Sequence, residues 1–460
     1  MRIVAEPVLH RPPTPDWALE WGRFARGVRY EDLPPEVVAR TRLVIADCIG
    51  AIASGAQEPE TQALAERLLA TSGIGPHPLI GARRRGSAAA AALFNGTAGT
   101  MLELDEGNQF ARGHPGIHVV PAALIAAQRA GATGRDLIAA VALGYEAGAR
   151  IGIASKLRVS MHPHGTWGTI GAAVAVAKLQ GASAEQIVEA MSVASSLGLT
   201  TSRRTMLEGG TVRNAFAGFS NQIGLTVWDL VAAGFTGEAD GVGTVYGTIA
   251  AEDWRPGEMT DALGERWEIA RNYFKRHACC RYNHAALDAL AEITTRERFA
   301  PSDVAGVTIE TYVWAAQLAS REPHNMLAAK FSLPFSIATT LVHGAATVDA
   351  FRDAARNDPA VRNLARRVTV VEDPELTARL PAQRPARVRV TLTDGRTLAA
   401  ETFTNKGDTE DPYGPAEIEE KFLELTAPVW SAREAGALWD ALSRLETTAG
   451  LDDIYALMAR

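Results

Sequence analysis

Along the first 270 residues, apolar side chains recur at the three-and-four spacing of a helix face. After Pro34 and Pro35 the positions Val37, Val38, Thr41, Val44, Ile45, Cys48, Ile49 and Ile52 predict a long helix with one buried face, entered through prolines that suit a first turn. The same spacing over 121–130, 134–151, 165–179 and 184–199 predicts further helices, separated by breaks such as Gly131-Ala132-Thr133-Gly134. Alanine and glycine dominate these segments, so the helices can approach closely and a compact bundle is expected.

Beyond about residue 270 the period changes. Val307, Ile309 and Thr311 alternate as on one face of a strand over 304–312, the run 367–371 is β-branched, and Asp394-Gly395 stands between two alternating runs within 386–403. That dipeptide predicts a hairpin, because its residues tolerate the backbone of a tight primed turn. From Pro415 onward the pattern is helical again. The expected fold is mainly α, with a large all-helical domain over 1–269, a smaller α+β lid domain over 270–400, and a helical return over 401–460 that packs on the first domain. A chain of 460 residues is too long for one ordinary core, which agrees with that division.

Composition narrows the classes. Hydrophobic residues at 47% and charged residues at 22% fit a packed globular protein and not a disordered chain. A net charge of -7 without a basic run argues against a nucleic-acid partner. Residues 1–16 hold no apolar stretch of signal-peptide length, and no window approaches about 18 uninterrupted apolar residues, so neither secretion nor a membrane partner is expected. Adjacent Cys279 and Cys280 with a distant Cys48 make no disulfide framework. A cytoplasmic location is the expectation.

Four polar segments interrupt the apolar helices. The first runs through Glu103, Asp105, Glu106 and Arg112 to His114 and His118, with Gly107, Gly113 and Pro115 breaking the helix. Loops on rigid scaffolds concentrate catalytic groups, although a capped helix end with solvated charges would look the same. The second, His162-Pro163-His164, leads into an alanine-rich helix whose N-terminus suits a carboxylate; a histidine satisfying loop backbone is the plainer alternative. The third, Lys275 to His284, lies at the expected domain boundary, where ligand sites are common. Its Cys280 reads as buried filler more readily than as a nucleophile. The fourth, Arg203 to Asn214, could clamp an acidic substrate or be a solvated loop. His114, His118, His162, His164 and Asp105 could supply metal ligands, but Cys-x-x-Cys and His-Glu-x-x-His patterns are missing, as are dinucleotide and phosphate-loop glycine motifs. No metal and no cofactor are expected.

Taken in order, Asp47-Cys48-Ile49-Gly50, Asn95-Gly96-Thr97, Leu102 to Glu106 followed by Gly113-His114-Pro115, and His162-Pro163 before Gly168 to Ala173 form one pattern. Later come Gly234 to Gly237, Cys279 to His284, Lys330 to Pro334, and Lys406-Gly407-Asp408 with Asp411-Pro412. In these motifs the chain resembles the MmgE/PrpD family over nearly its whole length. The resemblance implies a homodimer with a pocket between a helical domain and a lid, and action on a small di- or tricarboxylate. It implies catalytic roles for Glu103, Asp105, His114, His162 and His284. Arg112, Arg213, Lys275 and Arg281 would then neutralise substrate charge.

Histidine suits proton abstraction beside a carboxylate, because its ordinary pKa lies near working pH. His114 and His284 are expected as base and acid on opposite faces of the substrate, in either order, with His162 polarising the carboxylate and Asp105 orienting an imidazole. The implied activity is that of a cofactor-independent lyase, most simply a dehydratase like 2-methylcitrate dehydratase. An epimerase, isomerase or decarboxylase of a related dicarboxylate is the alternative within that chemistry, and a catalytically silent dimer that binds an acidic metabolite is the alternative outside it. One departure bears on substrate: Met206 to Thr211 stand where family members acting on methylcitrate or cis-aconitate carry a lysine and a histidine. Either Arg213 replaces the lost ammonium or the substrate carries fewer charges.

Overall fold

The computed structural model describes residues 12–460. Residues 1–11, which carry most of the segment expected to lack a signal peptide, lie outside the described residues. The first core is centred on the helices α1 (Pro35–Gly55), α2 (Ala88–Thr100), α3 (Pro115–Ala130), α4 (Gly134–Ala154), α5 (Gly168–Leu179) and α6 (Ala215–Ala232), with the helices Asp16–Gly27 and Ala184–Leu197 packed against them. Their small residues permit close approach, as expected. A Cβ on Gly96 of α2 would lie 2.7 Å from the Gly218 Cα of α6, and one on Gly144 of α4 would lie 2.6 Å from the Gly171 carbonyl oxygen of α5. Helix α4 is long and apolar enough to cross a membrane, yet nearly all of it is buried inside the bundle. Thr133 caps it reciprocally: its hydroxyl accepts from the Asp136 N–H, and the Asp136 carboxylate accepts from the Thr133 N–H.

Helix α3 begins six residues earlier than the sequence pattern places it, at Pro115, with Pro121 in its interior. A proline there leaves the carbonyl four residues back without its donor. Asn221 of α6 repairs the break: its Nδ2 donates to the Ile117 carbonyl at 2.9 Å, and its Oδ1 accepts from the Ala122 N–H at 2.8 Å. Helix α5 begins at Gly168 and not at 165, because 163–167 form turns bonded from the Thr166 N–H to the Pro163 carbonyl.

The second core gathers helices α7 (His284–Arg296) and α8 (Leu333–His343) on a four-stranded sheet. Its strands β1 (Val304–Thr311), β2 (Val368–Glu372), β3 (Ala386–Leu392) and β4 (Thr397–Thr402) lie in the order β4-β3-β1-β2. Strands β1 and β2 are parallel, and the other two pairings are antiparallel. Val307 faces Val390 and Ile309 faces Val388 in register, so the alternating residues supply the buried face. Asp394-Gly395 makes the β3-β4 turn, with Gly395 at φ +91°. The fold is thus mainly α with a smaller α+β part.

After the sheet the chain returns to the first core through helix α9 (Pro415–Thr426), whose Ile418 and Phe422 pack there. Lys421 of α9 reaches Asp47 of α1 at 2.5 Å and the Leu104 carbonyl at 2.7 Å. Met101, Leu102 and Leu104, just past α2, pack into the second core. The polar segment that follows them is held where the two cores meet.

Candidate active site

A small cavity opens at this junction. The first core contributes Glu103, Arg112, His114, His162, His164, Arg203 and Arg213, while Cys280, Arg281, Tyr282, Phe331 and Arg384 come from the chain beyond it. Of the residues expected from the sequence, Glu103, Arg112, His114, His162, Arg213 and Arg281 line the wall; Asp105, Lys275 and His284 stand behind it.

His114 is the N-cap residue of α3. Its Nδ1 lies 2.7 Å from the Glu106 carbonyl oxygen and 3.0 Å from Asp105 Oδ2, so Nδ1 is the donor, and in the neutral ring Nε2 holds the lone pair. Burial alone would raise the Asp105 carboxyl, but facing His114, Lys275 and Arg213 hold it well below the usual carboxylate range. Asp105 therefore stays ionised as the orienting group. Lys275, fully buried, sits 3.6 Å from Asp105 and 3.8 Å from Glu103. It balances both carboxylates from behind the wall.

Three more imidazoles crowd His114, and their hydrogen bonds fix distinct roles. His162 Nδ1 accepts from the His164 N–H at 3.0 Å, which leaves Nε2 as its donor. His164 Nε2 faces the Arg213 Nη2 at 3.4 Å and must accept, while its Nδ1 is buried without a partner. Burial, reinforced by the Arg213 charge, pushes both rings well below the ordinary histidine range, so both are neutral donors. His118 is a structural group: its Nδ1 donates to the His114 carbonyl at 2.8 Å, its Nε2 accepts from the Gly165 N–H at 3.0 Å, and burial lowers it to about 4. The N-terminus of α5, expected to face a carboxylate, does not line the cavity. Its first N–H groups bond back to the Thr166 and Trp167 carbonyls.

His284 does not reach the wall as the expected acid. Its Nδ1 accepts from Arg281 Nη1 at 3.0 Å and its Nε2 faces the Cys279 carbonyl at 3.3 Å, so both nitrogens are occupied. It orients Arg281, which also pairs with Asp408 and lies 4.5 Å from the Tyr273 ring centroid. Arg213 pairs with Glu103 and stacks over Phe331. Glu103 and Arg112 hold φ of +56° and +60°, two of the four non-glycine left-handed residues among those described. Such backbone costs about 1–3 kcal/mol and persists where surrounding structure over-determines it. Cys280, with its thiol pushed up to about 11 by burial, is no thiolate nucleophile. Among the described residues, no three His, Cys, Asp or Glu side chains are grouped to hold a metal ion.

Residues not anticipated as site groups are Tyr273, Tyr282, Phe331 and Arg384. Tyr282 and Phe331 lie inside the Cys279 to His284 and Lys330 to Pro334 motifs. Arg384 lies between Pro381 and Pro385 in a tract whose only signal is an arginine without a nearby acid in sequence.

Glu106 anchors the whole segment. Its carboxylate accepts from the Gly116 N–H at 2.7 Å, the Tyr145 hydroxyl at 2.9 Å and Asn272 at 3.2 Å, and its own N–H donates to Asp47. Burial nonetheless pushes its carboxyl up to about 8. A carboxyl raised in the folded state binds its proton more tightly there than in the unfolded chain. The associated stability is present below the unfolded value of 4.5 and is lost as pH rises through about 8. Glu146, raised to about 7 by burial, acts in the same direction. Thermal melting of the wild type is expected to fall from about pH 5 to about pH 8 and that of Glu106→Gln to fall less. Parallel slopes would remove Glu106 as the source.

An oriented imidazole base, two neutral imidazole donors and several guanidinium groups can together move a proton beside an anionic group. Residues 20–251 match the MmgE/PrpD N-terminal domain and residues 277–447 the MmgE/PrpD C-terminal domain. Cis-aconitate decarboxylase-like protein oryM of Aspergillus oryzae is 25% identical, over 93% of this chain and 94% of that protein. Cis-aconitate decarboxylase of Aspergillus terreus is 23% identical over 95% and 94%, and that of Homo sapiens 25% over 79% and 76%. These matches define an enzyme of lyase type. The chain belongs to the MmgE/PrpD family.

Proposed function

We propose that this protein removes a proton α to a carboxylate of a small di- or tricarboxylic acid, using side chains alone. The observation that carries the reading is His114 at the cavity wall, backed by Asp105 and with its other imidazole nitrogen unengaged among the described residues. His114 Nε2 takes the proton, and the imidazolium that forms is stabilised by Asp105 at 3.0 Å. Negative charge then moves onto the substrate carboxylate as an enediolate. His162 Nε2–H and His164 Nδ1–H donate to it, and the Arg213 charge lies beside them. The acid role expected of His284 passes to the imidazolium of His114 or to one of these donors.

Elimination of water, as in 2-methylcitrate dehydratase, is the outcome we favour. Loss of CO₂ is the second reading, supported by the likeness to cis-aconitate decarboxylases and a protein like them. Epimerisation or isomerisation would follow from reprotonation of the same intermediate. A homodimer, independence of metal and cofactor, and a cytoplasmic location belong to the same proposal; three buried free cysteines support the last. The test is an NMR screen of small di- and tricarboxylic acids in D₂O. Loss of an α-proton signal with a new olefinic signal is the expected result, and a mass change of one CO₂ would select decarboxylation. Activity unchanged after chelation is expected. Absence of deuterium incorporation into every acid that binds would leave a silent binding protein instead.

A further inference from the structure

Three of the guanidinium groups in the cavity wall are already engaged. Arg213 pairs with Glu103, Arg281 pairs with Asp408, and Arg112 donates from Nη2 to the carbonyls of Gly152 at 3.0 Å and Ser155 at 2.5 Å. Arg203 and Arg384 differ. Among the described residues neither has a carboxylate within ion-pairing reach, whereas Arg213 and Arg281 each do; Arg203 Nε, Arg203 Nη2 and Arg384 Nε are buried without any partner, as are Arg213 Nε and Arg281 Nε. Arg384 is only 3% exposed, and its one side-chain hydrogen bond among the described residues runs from Nη2 to the Gln109 carbonyl at 2.6 Å.

Both groups converge on one ring. The Arg203 and Arg384 guanidinium carbons lie 5.9 Å and 5.5 Å from the Tyr282 centroid, and Tyr282 is itself stacked on Trp314. A buried cation with open donors is unfavourable unless an anion or acceptor meets it. Arg384, buried, and Arg203, half-buried, both stand at the Tyr282 ring with no protein carboxylate in ion-pairing reach among the described residues, which leaves their open donors to an acceptor on a ligand. The planar fork of arginine matches a carboxylate through two parallel bonds.

We propose that Arg203, Tyr282 and Arg384 form a second carboxylate subsite, which holds the substrate carboxylate that takes no part in proton transfer and selects polycarboxylates over monocarboxylates. The inference rests on the proton-transfer reading above for the identity of the first carboxylate. It also accounts for the departure around Met206 to Thr211: the positive charge missing there is supplied by Arg203, a few residues earlier, and by Arg384, which meets the same Tyr282 ring.

Calorimetric titration of the full-length protein with tricarballylate and with propionate tests this. Arg203→Gln and Arg384→Gln are each expected to weaken tricarballylate binding at least about tenfold, with propionate changed less than about twofold. Arg384→Lys, which keeps the charge without the fork, should fall between. Arg203 stands on a short helix, Arg203–Leu207, and is partly exposed, so its variant reads the subsite even if Arg384 variants fold poorly. Tricarballylate affinity within twofold of wild type in Arg203→Gln, or equal weakening for propionate, would overturn the subsite. Failure of the wild type to bind either acid would overturn it together with the proposed function. Arginine-dependent binding with no deuterium exchange into any acid would sink the proposed function alone, and exchange with unchanged affinities would sink the subsite alone.

Discussion

Replacing His114 with alanine is expected to lower deuterium incorporation by about 10²–10⁴-fold, the usual contribution of a positioned acid or base. The ring lies at the wall, its Nδ1 is engaged by Glu106 and Asp105, and its other nitrogen is left for the substrate. Affinity for tricarballylate should change little, because the wall guanidiniums are untouched. Asp105→Asn should give a comparable loss, since an amide can present its N–H to the histidine and leave the wrong nitrogen protonated. Single-turnover rates of proton exchange measure both. Exchange at the wild-type rate in His114→Ala would remove this residue as the base and turn attention to the neutral imidazoles beside it.

The second large effect lies outside the cavity. Lys421→Met is expected to destabilise the protein by about 3–5 kcal/mol, because it strands Asp47 as a buried carboxylate without its cation. Burial already pushes Asp47 up despite Lys421 at 2.5 Å. The double variant Asp47→Asn with Lys421→Met should recover part of the loss, since neither charge is then left alone. Urea denaturation followed by circular dichroism reads both variants. Lys421 also holds the Leu104 carbonyl, and Asp47 accepts from the Glu106 N–H, so they brace the backbone on either side of Asp105. The single variant should therefore lose activity at temperatures where it remains folded. Destabilisation below about 1 kcal/mol would mean that water replaces the ammonium there.

Much of the architecture could be read from periodicity. Val37 to Ile52 mark the buried face of α1, and Val307 and Ile309 mark the buried face of β1, because these patterns depend only on local geometry. The start of α3 could not be read. Pro121 resembles a helix start, and the group that lets it sit inside a helix, Asn221, is a hundred residues away. The site divides in the same manner. His114 and Asp105 lie nine residues apart on one loop, so their partnership is visible in the chain. His284 has an equally suggestive setting, yet Arg281 and the Cys279 carbonyl take both of its nitrogens. Arg384 reaches the cavity only because the segment between β2 and β3 folds back over Gln109 and Tyr282.

The close glycine seams limit how this protein could be made more heat-resistant. Alanine in place of a helical glycine ordinarily adds about 1 kcal/mol through backbone propensity. At Gly96 and Gly144 that gain is closed off, because a methyl would meet the backbone of the neighbouring helix and force apart the pairs that carry the His114 loop. At Gly436, in the helix Ala432–Ser443, nothing lies within 4 Å of the added carbon. Room for thermostabilising change therefore lies on the periphery, while the interior that shapes the cavity is held to its smallest residues.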